Sequence, residues 1–212
     1  MPQMKDREYR NMILEVRELE DKTGDGMVVT GYASTFNEPY TLYEDDDWRF
    51  DEVVDSRAFE DTDMDDVIMQ YDHEGRVFAR ISNGTLTVAP DEKGLLIEAD
   101  LGGTELGRQL YEEIRGGYTN KMSFGFTIDA EDILDTKSED GKSLTVRTIK
   151  SVRKLYDVSA VSLPANDATS ISVRSLVDGE IDRIRAERLE AEKMELKRRK
   201  IKAKAELLGG QK

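Results

Sequence analysis

The stretch "KMSFGFTI", residues 121–128, sets Met122, Phe124, Phe126 and Ile128 on one side and Ser123, Gly125 and Thr127 on the other. A period of two belongs to a β-strand, whose successive side chains point to opposite faces. The apolar side calls for a core. The other side presents one small hydroxyl beside a glycine, and the missing side chain at Gly125 leaves room for a peptide to approach Ser123.

Working outward, the same kind of pattern recurs. "MVVTGYASTF" (27–36) follows the turn signal "KTGDG" and reads as a hairpin strand, with "MILEVREL" (12–19) as its first arm. "DDVIMQYDH" (65–73) alternates, which puts Val67, Met69, Tyr71 and His73 on one face, with the histidine closing the strand. "GTLTVAPDEKGLLIEADL" (84–101) reads as two strands around a Pro/Asp/Gly turn. In "GGTELGRQLYEEIRGG" (102–117), Leu106, Leu110 and Ile114 recur every four residues, Thr104 can cap the start and Gly116 and Gly117 can end it. That segment is a helix. "DTKSEDGKSLTV" (135–146) is a polar turn leading to strands through "YDVSAVSL" (156–163), and "PAND" punctuates their end. Many strands around one helix predict a mainly β or α+β fold built on a β-barrel.

Past about Leu176 the composition changes to Ala, Glu, Lys, Arg and Leu without proline, the signature of a long charged helix. Residues 180–212 carry 11 Lys/Arg and 7 Asp/Glu, a net +4, which leaves residues 1–179 at −18 of the overall −14. The expected organisation is a body over 1–175 and a helical tail over 176–212. An acidic body argues against nucleic acid as the main partner, because phosphate binding needs a basic surface. With no cysteine there is no disulfide, thiol nucleophile or Cys zinc site, and a single histidine makes a zinc centre unfavourable. The start has no apolar run suited to a signal peptide and no segment has the length of a membrane span, so a soluble, cytoplasmic protein without cofactor or metal is expected. The acidic runs "DTDMDD" (61–66) and "EDDDW" (44–48) read as surface loops: an EF-hand needs Gly at its sixth position and Glu at its twelfth, where Asp66 and Asp72 stand.

A serine that attacks at neutral pH needs a base, and His73 is the one imidazole in the chain. Asp157, among Leu155, Val161 and Leu163, would be a carboxylate in apolar surroundings that needs a partner, and an imidazole N–H would serve. Each residue has an ordinary reading too: a partly exposed histidine at a strand end, a serine on a polar face, an aspartate at a rim pairing with an arginine. Asp72 and Glu74 point away from His73 if the strand continues through it, which makes them poor partners for its ring.

The order of His73, then "MSFGF", then "YDVSAVSLPAND" resembles the prohead (capsid maturation) proteases of tailed bacteriophages, related in fold to the herpesvirus assemblins. The resemblance spans roughly residues 10–175 and includes "GYASTFNEP", "FDEVVDSRAF", "MQYDHEGRVFAR", "GTELGRQLYEEIRGGYTNKMSFGF" and "DVSAVSLPANDATSISV". It implies a closed or partly closed assemblin-like barrel with surrounding helices. It also implies a serine endopeptidase with His73, Ser123 and Asp157 as triad, where the family usually has Glu at the third position. Assemblins use an arginine pair for the oxyanion; here the corresponding stretch is Pro164, Ala165, Asn166, so backbone N–H groups near Ala165 and Asn166 are the expected donors. The implied partners are the capsid precursor and scaffold, with self-association and self-cleavage of the tail, inside an assembling prohead in the host cytoplasm. The alternative is a non-catalytic capsid assembly or scaffolding protein.

Overall fold

The computed structural model describes residues 7–12, 17–18, 26–139, 141–162 and, in the tail, 183, 186–187, 189–190 and 193–199. The chain divides into two compact units, Met1–Ser170 and Ile171–Lys212. In the first, the strands are β1 (Glu8–Met12), β2 (Arg17–Glu18), β3 (Val28–Thr35), β4 (Tyr40–Glu44), β5 (Trp48–Val54), β6 (Ile68–Tyr71), β7 (Glu74–Arg80), β8 (Leu86–Pro90), β9 (Gly94–Asp100), β10 (Lys121–Lys137) and β11 (Ser143–Val161). One helix, α1 (Glu105–Arg115), links β9 to β10.

The long antiparallel β10–β11 hairpin organises this unit. β1 lies on the outer side of β10, while β11 carries two parallel partners along its length: β5 beside Ser143–Ile149 and β6 beside Asp157–Ala160. β4 extends the sheet from β5, and β7 from β6. A second sheet runs β2-β3-β9-β8. The mainly β expectation therefore holds, but the barrel does not. A barrel needs each strand to pass pairing on round a ring, whereas here β11 splits its pairing between two branches, and β1 and β4 end the sheet's main path as edges. Nor is the sheet ringed by helices: α1 is the α-helix of the body's described residues.

The alternation in β10 does what its spacing predicts. Met122, Phe124 and Phe126 are fully buried, with the Phe124 and Phe126 rings stacked 4.6 Å apart and Phe59 edge-on to Phe124 at 6.1 Å. Each such ring contributes roughly 1.5–3 kcal/mol by leaving water. α1 starts where Thr104 Oγ1 accepts from Gly107 N at 2.9 Å, and it buries Leu110 and Ile114 while Leu106 stays exposed. The β8–β9 turn forms around Asp91, whose carboxylate accepts from the N–H groups of Lys93 and Gly94. A Cβ at Gly94 would meet the Ser34 carbonyl oxygen at 2.0 Å, so only glycine lets β3 and β9 pair this closely.

Several expectations shift. The polar stretch 135–146 is mostly strand, and its turn shrinks to 138–142. Of the predicted first hairpin arm, Arg17–Glu18 pair with β3, but residue 12 belongs to β1 and residues 13–16 and 19 lie outside the described residues. The loop 61–66 is at the surface, where Asp63 pairs with Lys154 and Asp66 with Arg80. The long helix expected over 176–212 falls largely outside the described residues. Those described between residues 183 and 199 are helical and exposed, with Arg183–Glu187 and Glu195–Arg199 pairing one turn apart. Among the described residues, no helix is long and apolar enough to cross a membrane.

Candidate active site

β10 supplies Ser123 and β11 supplies Asp157, on adjoining strands in which Ser123 faces Ser159 and Gly125 faces Asp157. The third group arrives from the β6–β7 hairpin. β6 pairs with β11 from Ile68 opposite Asp157 to Tyr71 opposite Ala160, and Tyr71 also faces Glu74 across a two-residue loop, Asp72–His73. Both loop residues are left-handed, with φ of 48° and 60°. This is the primed-turn requirement of a tight hairpin, met here without glycine. His73 therefore does not close a strand on the Val67, Met69 and Tyr71 face; the alternation stops at Tyr71, and the turn redirects the ring. Asp72 holds the turn down: its N–H donates to the Ala160 carbonyl at 2.9 Å, and its carboxylate accepts from Ser162 N at 2.9 Å and Ser162 Oγ at 2.8 Å.

The result brings the three predicted residues together. His73 Nδ1 lies 2.5 Å from Asp157 Oδ1, and His73 Nε2 lies 2.5 Å from Ser123 Oγ. A neutral ring that donates from Nδ1 to the carboxylate leaves Nε2 as a bare acceptor facing the hydroxyl. Asp157 is wholly buried and fully engaged: Ser159 Oγ donates to Oδ1 at 2.7 Å, and Arg7 Nη2 binds Oδ2. The shorter acid thus reaches the imidazole and also pairs with an arginine, so the two readings of Asp157 from sequence coexist. Burial, and then repulsion from Arg7, pushes the His73 pKa down to about 3, so the ring is neutral at pH 7.

The surroundings of Ser123 are closed. Its residue has no exposed surface, and its Oγ also donates to the Arg10 carbonyl at 2.8 Å. The room that Gly125 was expected to keep for a peptide is taken: a Cβ there would meet Asp157 Oδ2 at 2.5 Å, Arg7 Nη2 at 2.8 Å and Tyr9 Cε1 at 2.8 Å. Ala165 and Asn166, the expected oxyanion donors, lie outside the described residues. Sequence reasoning missed Arg7, Tyr9 and Ser159. Tyr9 lies against the imidazole with ring centroids 4.4 Å apart, and the Arg7 guanidinium sits over Tyr156 at 4.5 Å. Ser159 was findable, since a hydroxyl two positions after a buried strand acid shares its face; residues 7–9 carry no comparable local signal.

On the opposite face of β1 and β10 lies a second charged cluster. Arg10 binds Glu52 through Nε at 2.6 Å and Nη2 at 2.9 Å, and Arg147 reaches Glu52 at 3.1 Å, Glu8 at 2.8 Å and Glu131 at 2.6 Å. Tyr40 donates to the same Glu52.

No curated protein and no solved structure matches this chain. The model of one family, described as caudovirus prohead serine protease, matches residues 13–182, a span that contains His73, Ser123 and Asp157. With most of its length matched in this way, the chain belongs to the caudovirus prohead serine protease family.

Proposed function

We propose that this chain is a serine endopeptidase in which Ser123 is the nucleophile, His73 the general base and Asp157 the group that orients the base. The observation that carries this reading is the bridging position of the molecule's one imidazole, 2.5 Å from the hydroxyl on one side and 2.5 Å from the carboxylate on the other. His73 Nε2 takes the hydroxyl proton as Ser123 Oγ attacks a peptide carbonyl, then passes it to the leaving amine. Asp157 keeps the useful tautomer and stabilises the imidazolium. A water molecule activated by the same base releases the acyl-enzyme. Backbone N–H groups near Ala165 and Asn166 are the proposed oxyanion donors.

Family membership supports capsid maturation as the setting, with the capsid precursor and scaffold as substrates inside the assembling prohead. Self-association and self-cleavage, with the body over 1–175 acting and the tail over 176–212 serving as a targeting segment and then removed, complete the reading. The test is mass spectrometry of capsid precursor incubated with wild-type or Ser123→Ala protein. Wild type should generate defined fragments, and Ser123→Ala should lose at least about 10⁴-fold in rate with its fold intact. Equal cleavage by both would overturn the assignment, and shell assembly by Ser123→Ala without any cleavage in wild type would favour a scaffolding role instead.

A further inference from the structure

On the reading of Ser123 as nucleophile, we infer that residues 7–12 are an inhibitory strap: they occupy the sheet edge where a substrate strand would lie, and the site works only when they leave it. Their contacts converge on the reacting groups. β1 pairs antiparallel with β10, Arg10 opposite Phe124 and Asn11 opposite Ser123, so its backbone lies along the nucleophile's strand. The Arg10 carbonyl accepts from Ser123 Oγ at 2.8 Å, competing with His73 for the hydroxyl's single proton. Tyr9 leans on the imidazole and Arg7 binds Asp157, and both fill the notch beside Gly125. While these contacts stand, Ser123 has no exposed surface and no peptide carbonyl can approach it.

Arg7 also acts electrostatically. A guanidinium on the triad carboxylate opposes the positive charge that must appear on His73 when it takes a proton, and it contributes to holding that ring's pKa down. Lifting the strap would remove this charge and uncover the hydroxyl in one motion. Among the described residues β1 is a sheet edge, pairing with β10 and no other strand, so leaving means parting the Arg7–Asp157, Arg10–Glu52 and Glu8–Arg147 pairs but no further strand pairing. An extended chain can add to the vacated β10 edge by main-chain hydrogen bonds. The family match begins at residue 13, so the strap lies just outside it.

The test uses full-length protein and a fluorophosphonate, which bonds Ser123 Oγ to phosphorus as fluoride leaves and the hydroxyl proton passes to His73. Arg7→Ala should be labelled at Ser123 roughly tenfold faster than wild type, with the midpoint of its pH–rate profile moved upward as the base recovers strength. A peptide of residues 5–12, KDREYRNM, should slow labelling of Arg7→Ala again, and the same peptide with alanine for arginine at position 7 should not. Equal or slower labelling of folded Arg7→Ala, with Ser123 still the labelled residue, overturns the strap and leaves the nucleophile standing. No labelling of either chain overturns the nucleophile itself, and the strap with it. Should Arg7→Ala not fold, Arg7→Gln, which keeps a hydrogen-bonding amide without the charge, carries the same outcomes.

Discussion

Arg7 and Arg10 stand three residues apart on one segment, and each guanidinium meets a wholly buried carboxylate, Asp157 for one and Glu52 for the other. What surrounds the two pairs differs. Arg10 is bidentate to Glu52, its side chain is 4% exposed, and Glu52 is further held by Arg147 and Tyr40. Burial pulls the Arg10 pKa down, but Glu52 and then Glu8 outweigh it and hold it well above the ordinary value. Arg7 is 18% exposed, holds Asp157 through Nη2, and leaves its buried Nε without a partner among the described residues. Burial is its largest influence and its pKa ends lowered, with Tyr9 and Tyr156 only partly opposing. One cluster is over-determined and fixes the sheet. The other meets, through one nitrogen, an acid that already has His73 and Ser159, which leaves that acid partnered when the arginine departs.

The contrast can be broken by swapping the expected outcomes. Asp157→Asn should lower turnover by roughly 10⁴-fold, because the ring loses the acceptor that fixes its tautomer, while thermal unfolding moves little. Peptide cleavage within tenfold of wild type would remove the site cluster from catalysis. Glu52→Ala should do the reverse. It leaves Arg10 and Arg147 buried without their shared acid, at a cost of about 3–5 kcal/mol read from urea unfolding, and by loosening β1 it should leave the remaining folded molecules cleaving at least as fast as wild type. A loss under about 1 kcal/mol would show that the second cluster is not what anchors β1.

A smaller effect sharpens the electrostatic side. His73 has a folded pKa of about 3 against an ordinary 6.5. As pH falls below 6.5 the unfolded chain takes up a proton that the native ring refuses, so stability declines between pH 6.5 and about 3 and this contribution then levels off. The slope from this group is at most about 1.4 kcal/mol per pH unit. His73→Gln should flatten that part of the stability–pH curve; identical curves for wild type and variant would mean the imidazole is not held neutral.

The sequence showed the strands whose faces differ in polarity and hid those whose role depends on distant partners. β10, β8, β9 and α1 were legible because period-two or period-four spacing and capping are local. The barrel expectation failed because nothing local says that β11 divides its pairing between β5 and β6. His73, Ser123 and Asp157 were found through chemistry and family order, but the manner of their meeting was not. A histidine that seemed to end a strand sits instead in a left-handed turn, a conformation usually signalled by Asn or Gly rather than Asp-His. The charges of β1 carry no local sign of burial, since a buried Arg10 and an exposed arginine are identical letters until Glu52 and Arg147 arrive from far along the chain.

Those long separations have a temporal consequence. Asp157 lies 84 residues after His73 and 150 after Arg7. At a synthesis rate of roughly 5–20 residues per second, some 4 to 17 s pass on the ribosome between His73 and Asp157. A nascent chain therefore carries the imidazole, and for its last 34 residues before Asp157 the hydroxyl as well, before the carboxylate exists, and the parallel β6–β11 alignment that joins His73 to Asp157 is the kind of distant pairing that forms slowly. On the proposed triad, peptide cleavage would thereby be withheld from unfinished copies by the order of translation.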